Sequence, residues 1–309
     1  MRRTCLDCVF DLALQDQRVV FVGSDLGPGV LEQMKNELPE RWIMEGVAEQ
    51  HVVGMAAGLA MEGFIPYVNT IATFFSRRSY EQVLLDLCLH KLPVRLIANG
   101  GGVVYAPLGP THLATEDIAI LRCIPNMTIV APCDAQEMTR FMNASLTWPD
   151  PIYIRLAKGG DPVVSRPEHK FEIGKAITLR KPGNVLFVST GVMTQRALEA
   201  AEKLAKMDIS AGVLHCHTIK PFDRDNLLSS IAGVDLVITV EEHTLIGGLG
   251  SLVLEVLNCA DHSAITKVVR LGIPDEFAPE YGSQDSLLNR WGLDSDSLVK
   301  CVISRLATK

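Results

Sequence analysis

The sequence predicts an α/β protein made of two parallel-sheet domains, and three observations carry that prediction. Short apolar runs of strand length alternate with segments of helical periodicity along the chain, the pattern of parallel sheets wrapped by helices. A polar stretch containing Gly and Pro, around 157–170, interrupts the rhythm once, after which the alternation resumes. A length of 309 residues leaves room for two domains of ordinary size. The boundaries fall at 1–160 and 175–309, with a linker at 161–174.

The elements follow in order. A helix is expected over 4–16 and a strand over Arg18–Val22. The turn Gly23-Ser24-Asp25-Leu26-Gly27-Pro28-Gly29 stands just past that strand's carboxyl end, where such folds place ligand loops. A strand ends at Trp42-Ile43-Met44. Beyond it Val52, Met55, Ala56, Leu59 and Ala60 recur at helical spacing, so Glu49 and Gln50 open a helix. Another strand ends at Tyr67-Val68-Asn69. Ser79–His90 reads as a helix and Pro93–Ala98 as a strand, whereas 99–110 is too rich in Gly and Pro for regular structure. Helices over Thr115–Arg122 and Ala135–Leu146 flank a strand at Thr128–Ala131, and Ile152–Leu156 closes the first half. The second half offers strands at Val185–Ser189, Ala211–Leu214, Leu236–Val240 and Thr266–Arg270. Its helices fit Thr194–Met207, Arg224–Ile231 and Gly248–Cys259.

Composition narrows the partners. A net charge of −7 argues against nucleic acid or an anionic membrane as the main partner. No apolar run reaches bilayer length, and the start, Met-Arg-Arg-Thr-Cys-Leu-Asp, lacks a signal-peptide core, so the cytoplasm is expected. With 48% hydrophobic residues and a mean hydropathy of +0.20, a large subunit interface is expected too.

Local chemistry singles out Glu49. A carboxylate on a tightly packed helix is dehydrated, which favours its protonated form and suits it to proton sharing. The plainer alternative is a solvated first-turn Glu that complements the helix dipole. Gly54 and Gly58, one turn apart, would let another backbone approach that helix closely. Cys5 and Cys8 form a C-x-x-C that is either redox-active, metal-binding or a pair of ordinary thiols; it has no second pair and lies in a helix. His215 and His217 would point the same way from a strand, with no third ligand nearby in sequence.

Ordered motifs go further. Gly46-Val-Ala-Glu-Gln-His51 precedes Thr73-Phe-Phe-Ser-Arg-Arg-Ser-Tyr-Glu-Gln82, then Gly109-Pro-Thr-His112, Leu121-Arg-Cys-Ile-Pro-Asn-Met127 and Ala131-Pro-Cys-Asp134. The second half adds Glu241-Glu-His243 and Gly247-Gly-Leu-Gly-Ser251. The set resembles the carboxyl-terminal part of a transketolase or a 1-deoxyxylulose-5-phosphate synthase. The resemblance covers nearly the whole chain, as a pyrimidine-binding (Pyr) domain followed by the transketolase C-terminal domain. It implies thiamine diphosphate, whose aminopyrimidine is activated by a carboxyl group at N1′, and it puts Glu49 there, with Glu45 as the lesser rival. It places Phe75 as the ring stacked on the pyrimidine, Phe74 being the choice if the register slips by one. Arg78 matches an Arg near cofactor and substrate, whereas Arg77 reads as solvated. His112 matches the histidine at the substrate's reacting end. Arg155 corresponds to an Arg that holds the sugar's phosphate, or is a salt-bridged strand-end arginine.

The family's Gly-Asp-Gly…Asn motif, which holds the pyrophosphate through Mg2+ or Ca2+, does not occur in these 309 residues. The resemblance therefore implies a partner subunit carrying it, an α2β2 assembly, and no metal ligand on this chain. Leu108, Gly100 and Gly29 replace polar residues that transketolases turn toward a phosphosugar, which puts the usual substrates in question. The reading is the C-terminal subunit of a two-component transketolase-like enzyme that moves a two-carbon ketol unit from a ketose to an aldehyde. The rivals are a 2-oxoacid dehydrogenase β subunit, a decarboxylating synthase of the deoxyxylulose phosphate type, and a noncatalytic chain that kept the fold.

Overall fold

The computed structural model describes residues 1–24, 30–259 and 267–307. In the first half β1 (Val19–Gly23), β2 (Trp42–Met44), β3 (Ile65–Ile71), β4 (Arg95–Asn99), β5 (Thr128–Val130) and β6 (Ile152–Leu156) alternate with helices. These are α1 (Arg2–Gln15), α2 (Glu32–Glu37), α3 (Glu49–Met61), the single turn α4 (Tyr80–Gln82), α5 (Asp117–Arg122) and α6 (Ala135–Ser145). The second half holds β7 (Ile177–Arg180), β8 (Val185–Ser189), β9 (Ala211–His215), β10 (Thr218–Lys220), β11 (Leu236–Thr244) and β12 (Lys267–Ile273). Its helices are α7 (Met193–Ala205), α8 (Arg224–Ile231), α9 (Leu249–Asn258), α10 (Gln284–Arg290) and α11 (Ser295–Leu306).

Two sheets result, ordered β10-β5-β6-β4-β3-β1-β2 and β12-β11-β8-β9-β7. Pairing is parallel except at one edge of each, where β10 runs antiparallel to β5 and β7 antiparallel to β9. The expected α/β class with two parallel sheets holds, each sheet adding one antiparallel strand at an edge. The strand β10 also belongs by sequence to the second half yet completes the first half's sheet, which ties the halves together through main-chain bonds.

Strands β1, β4, β6, β8 and β9 are buried along their whole length. Helices cover both sheet faces, which is why these strands are mostly apolar, with buried polar groups such as Arg95, Arg155 and His215 near their ends. On one side α1 and α6 pack Leu12, Phe141 and Met142 onto β1 and β6. On the other, α3 and the segment after α4 press Val53, Ala56, Val83 and Leu87 against β3. Each of the larger side chains contributes roughly 1.5–3 kcal/mol by leaving water, and the Ala56 methyl about 0.8 kcal/mol. Cys5 and Cys8 are buried free thiols on α1, and burial pushes both thiols up in pKa, away from the reactive thiolate. Among the described residues no helix is long and apolar enough to cross a membrane.

One local expectation changes. The helix expected over Ser79–His90 is wound in wide π-type turns, at Val83–Cys88 after α4 and at Phe74–Arg78 before it. Among the described residues a Cβ on Gly54 would meet only the Asp86 carboxylate, at 3.9 Å, and one on Gly58 would face open space, which leaves that helix face free for another chain. The surroundings of α3 are exposed and apolar, with Val47, Met61, Leu85 and Leu89 uncovered.

Candidate active site

The site assembles at the carboxyl ends of β1 and β3, where the parallel strands end together and α3 begins. Ala48 is the N-cap of α3 and has no polar side chain to offer the first turn. Glu49 follows as the first helical residue, at the end of the dipole that favours a negative charge. Its side chain is wholly buried. A buried carboxylate needs partners, because burial without them costs several kcal/mol. Glu49 has three. Ser24 at the end of β1 donates to Thr70 Oγ1 at 2.8 Å, and Thr70 on β3 donates to Glu49 Oε1 at 3.3 Å. Arg78 Nη1 donates to Glu49 Oε2. The dehydration expected from the sequence is present, but a cation balances it. Glu45, the rival, has a partly exposed side chain that pairs with His51 at 3.8 Å instead.

Arg78 links Glu49 to the rest of the site. Its guanidinium carbon lies 4.3 Å from the centroid of the Phe74 ring, a cation–π distance. Phe74 in turn meets the imidazole of His112 edge to face, with centroids 5.6 Å apart. Glu49, Arg78, Phe74 and His112 thus form one continuous run. Phe75 stands outside it, wholly buried in the core that includes Val52, Ala72 and Val83. The wide turn at Phe74–Arg78 sends the Phe75 ring into the core and leaves Phe74, the alternative if the register slips by one, as the ring beside Arg78 and His112.

His112 ends a single 3₁₀ turn, Pro110–His112, and its Nδ1 lies 2.9 Å from Thr111 Oγ1. Arg77 fastens that turn. It donates to both carboxylate oxygens of Glu116, to the Leu113 carbonyl at 2.8 Å and to the Pro110 carbonyl at 3.4 Å. Arg77 is exposed, as the sequence suggests, and its bonds to this turn are what the sequence did not show. A cavity of about 540 Å³ opens beside the turn, with Arg77, Pro110 and Leu113 on one wall and Ile246, Ile273 and Phe277 on the other.

Arg155 is not part of the run. It is 7% exposed, donates to Asp117 Oδ2 at 2.8 Å, and gives two further bonds to the carbonyls of Ala114 and Glu242. Of its two readings, these are the surroundings of the salt-bridged strand-end arginine. Gly100 has a φ of +77°, and a Cβ there would lie 2.2 Å from the Tyr105 ring, so Tyr105 fills the space a side chain would need. Leu108 is exposed beside the His112 turn. Gly29 and the rest of the expected ligand loop, Asp25–Gly29, lie outside the described residues.

The remaining motifs serve the seam between the halves. Glu241 accepts from the main-chain N–H groups of Leu249 at 2.6 Å and Gly250 at 2.8 Å, capping α9. Gly248 permits this, since a Cβ there would sit 2.0 Å from Glu241 Oε2. Glu242 accepts from Val103 N–H at 2.8 Å and from Gln284 at 2.9 Å, and His243 Nε2 accepts from Ala119 N–H at 3.2 Å. Ser24 and Thr70 are the site residues that sequence reasoning missed. Ser24 lay in the expected ligand turn, whereas Thr70 carries no signal outside the fold.

A two-sheet α/β fold with a buried carboxyl at a helix start, in line with an aromatic ring and a histidine, is the frame in which the sequence motifs placed the pyrimidine-binding domain. Comparison with known proteins agrees. Residues 1–160 match the transketolase pyrimidine-binding domain and residues 174–298 the transketolase C-terminal domain. The chain is 35% identical to the 6-deoxy-6-sulfo-D-fructose transketolase subunit SqwH of Clostridium sp. strain MSTE9, over 97% of this chain and 92% of that one. It is 34% identical to one of the subunits of the apulose-4-phosphate transketolase of Phocaeicola vulgatus, over 98% and 96%. A solved split-gene transketolase, an inactive β4 tetramer, superposes with a TM-score of 0.90 at 34% identity, over 99% of this chain and 98% of that one. Against the 1-deoxy-D-xylulose-5-phosphate synthase of Caldanaerobacter subterraneus the identity is 36%, but the chain spans only 47% of that protein. This chain belongs to the transketolase family. Within it, the chain has the two domains and the extent of a β subunit of a split transketolase.

Proposed function

We propose that the chain supplies the pyrimidine-binding half of a thiamine diphosphate-dependent transketolase that moves a two-carbon ketol unit from a ketose to an aldehyde. A partner subunit would hold the diphosphate through Mg2+ or Ca2+, in a cytoplasmic assembly with two copies of each chain. The observation that carries this reading is the buried Glu49, which lies in one continuous run with an aromatic face and a histidine.

The donor set fits an aminopyrimidine. A flat heteroaromatic ring asks for one carboxyl group at a ring nitrogen and an apolar face to lie on, and Glu49 and Phe74 offer both. It does not fit a diphosphate with its metal, since the acidic groups of the run stop at Glu49. When bound, the coenzyme supplies the nucleophile that attacks the ketose carbonyl. Glu49 would hold a proton at the pyrimidine nitrogen, with Ser24 and Thr70 orienting Oε1 and Arg78 releasing Oε2. Phe74 would carry the ring. His112 would donate a proton to the substrate oxygen as negative charge develops there, take one back from the hydroxyl as the carbon–carbon bond breaks, and give it to the aldehyde oxygen as the new bond forms. The exposed apolar surface at Val47, Met61, Leu85 and Leu89 would be covered by the partner.

The test is to co-express the chain with its partner and assay ketol transfer with thiamine diphosphate and magnesium. Glu49→Gln is expected to leave assembly intact while turnover falls by orders of magnitude. Unchanged turnover removes Glu49 from the mechanism. Release of CO2 from pyruvate in place of ketol transfer moves the assignment to the decarboxylating synthases.

A further inference from the structure

The fold brings together a second set of ligand-type side chains that the ketol-transfer reading does not use. Cys133 and Glu137 come from the first half, just before and within α6, and His215 comes from the end of β9 in the second. The Cys133 sulfur, a Glu137 carboxylate oxygen and a His215 ring nitrogen all lie within 4.8 Å of one another, and all three residues are wholly buried. The sequence shows no third ligand near His215 because the other two lie some eighty positions earlier and reach it only across the seam.

We propose that Cys133, Glu137 and His215, with His217 as the fourth donor, form a closed structural site for one zinc-class divalent ion at that seam. Four features support it. The donor set is thiol, carboxyl and imidazole, the set that selects zinc over magnesium or calcium. The ligands are already oriented from behind: Thr194 Oγ1 lies 2.7 Å from His215 Nδ1, which leaves Nε2 directed at Glu137, 2.9 Å away. The Cys133 main-chain N–H donates to Glu137 Oε2 at 2.7 Å and fixes the carboxyl group. Donor capacity is also left over. Glu137 Oε1 and His217 Nε2 are buried without a hydrogen-bond partner, which is costly unless something else satisfies them. The His217 ring is centred 5.7 Å from that of His215, and its Nδ1 is occupied by Thr218 Oγ1 at 2.9 Å, so Nε2 is the atom free to bind.

Charge closes as well. A divalent ion with one thiolate, one carboxylate and two neutral imidazoles is neutral in itself, and the nearby Asp134 carboxylate, 3.7 Å from the Cys133 sulfur, is held separately by the main-chain N–H groups of Val164 and Ser165. The Cys133 proton leaves on binding, and the ion takes the place of the contact between His215 and Glu137. With every ligand buried, the ion enters as the two halves close on each other, so binding and folding are coupled.

The experiment is metal analysis of the full chain, produced with its partner subunit in zinc-supplemented medium without a metal-affinity tag and stripped of magnesium by gel filtration. Stoichiometric zinc is expected, with loss of the ion in Cys133→Ser, His215→Ala and His217→Ala. Cobalt-substituted chain is expected to show a near-ultraviolet thiolate-to-metal absorption that disappears in Cys133→Ser. Wild-type chain with neither zinc nor cobalt would overturn the proposal even if the variants failed to fold, and so would zinc retained by all three variants. None of these readouts depends on transketolase activity, so the site and the ketol-transfer reading stand or fall separately.

Discussion

Phe74 and His112 meet edge to face, with ring centroids 5.6 Å apart, while Phe75, the next residue, is sealed in the core. The two phenylalanines therefore do different work, and truncating each should fail differently. Phe74→Ala is expected to lower turnover and weaken coenzyme binding with little change in melting temperature. Phe75→Ala should destabilise the chain by about 3–5 kcal/mol through the cavity it leaves. Parallel thermal melts and coenzyme titrations of the two variants check this. If Phe75→Ala were stable and specifically lost the coenzyme, the sequence register would be right and the assignment of Phe74 wrong.

Arg77 shapes the other side of the same contact. Its bonds to Glu116, Leu113 and Pro110 hold the turn that ends in His112, and its side chain is 39% exposed. An ion pair so open to water contributes about 1 kcal/mol or less to stability. Its geometry matters more, since a misplacement of about 1 Å at a reacting group can cost up to 100-fold in rate. Arg77→Ala is expected to cut kcat by roughly tenfold or more while the melting temperature stays near that of the parent. Arg77→Lys, which keeps the charge but loses the planar fork, should recover only part of the rate. Full recovery by lysine would show that charge alone matters.

Much of the fold was legible because its strongest signals are local. The buried strands β1 and β8 are apolar runs, β4 and β6 are largely so, and α3 shows its spacing from Val52 to Ala60. Two of the four sheet edges were not legible: β10 spans three residues and β7 is half exposed, so neither alternates long enough to register as a strand. Helices α10 and α11 had readable starts that the apolar pattern alone passes over, Ser283 and Asp294, each accepting a bond from the N–H three residues on. At the site, Glu49 and His112 sit in motifs. The pairing of Glu49 with Arg78 spans 29 positions, and only the approach of α3 to the turn at Phe74–Arg78 reveals it. The choice between Phe74 and Phe75 hangs on a π-type turn, and period counting assumes an ordinary helix.

Arg155 separates a structural from a substrate-binding role. Its bond to Asp117 at 2.8 Å is made by two buried side chains, and Tyr153 donates to the same carboxylate oxygen at 2.8 Å. Removing the cation leaves Asp117 as an uncompensated buried charge. Arg155→Ala is therefore expected to destabilise the chain by about 3–5 kcal/mol. Asp117→Ala should do so by a similar amount, and the double variant by less than the sum of the two. Denaturant unfolding of the three variants measures this. Near-native stability in Arg155→Ala, with KM raised for a phosphorylated sugar, would restore the substrate role.

Glu241 makes the seam between the halves sensitive to pH. Burial pushes its carboxyl up from 4.5 to about 7, against the N–H bonds from Gly250 and Leu249 and the attraction of Arg155 and Arg270. His243, whose Nδ1 is 3.7 Å away, faces it too, and burial holds that imidazole below its ordinary range. The sign follows from comparing the two states. The folded carboxyl keeps its proton at pH values where the unfolded chain has lost it. Its contribution is thus fully present below about pH 4.5 and lost as pH rises through about 7, on the order of 3 kcal/mol in all. The neighbouring Glu242 is raised by burial as well and acts in the same direction. His243 works the opposite way, favouring the folded state once pH is high enough for the unfolded imidazole to be neutral. Glu241→Gln, which cannot ionise and still offers α9 one acceptor oxygen, should flatten the fall in melting temperature between about pH 5 and 8. A variant whose melting temperature falls with pH as steeply as the parent's would place the sensitivity on another group.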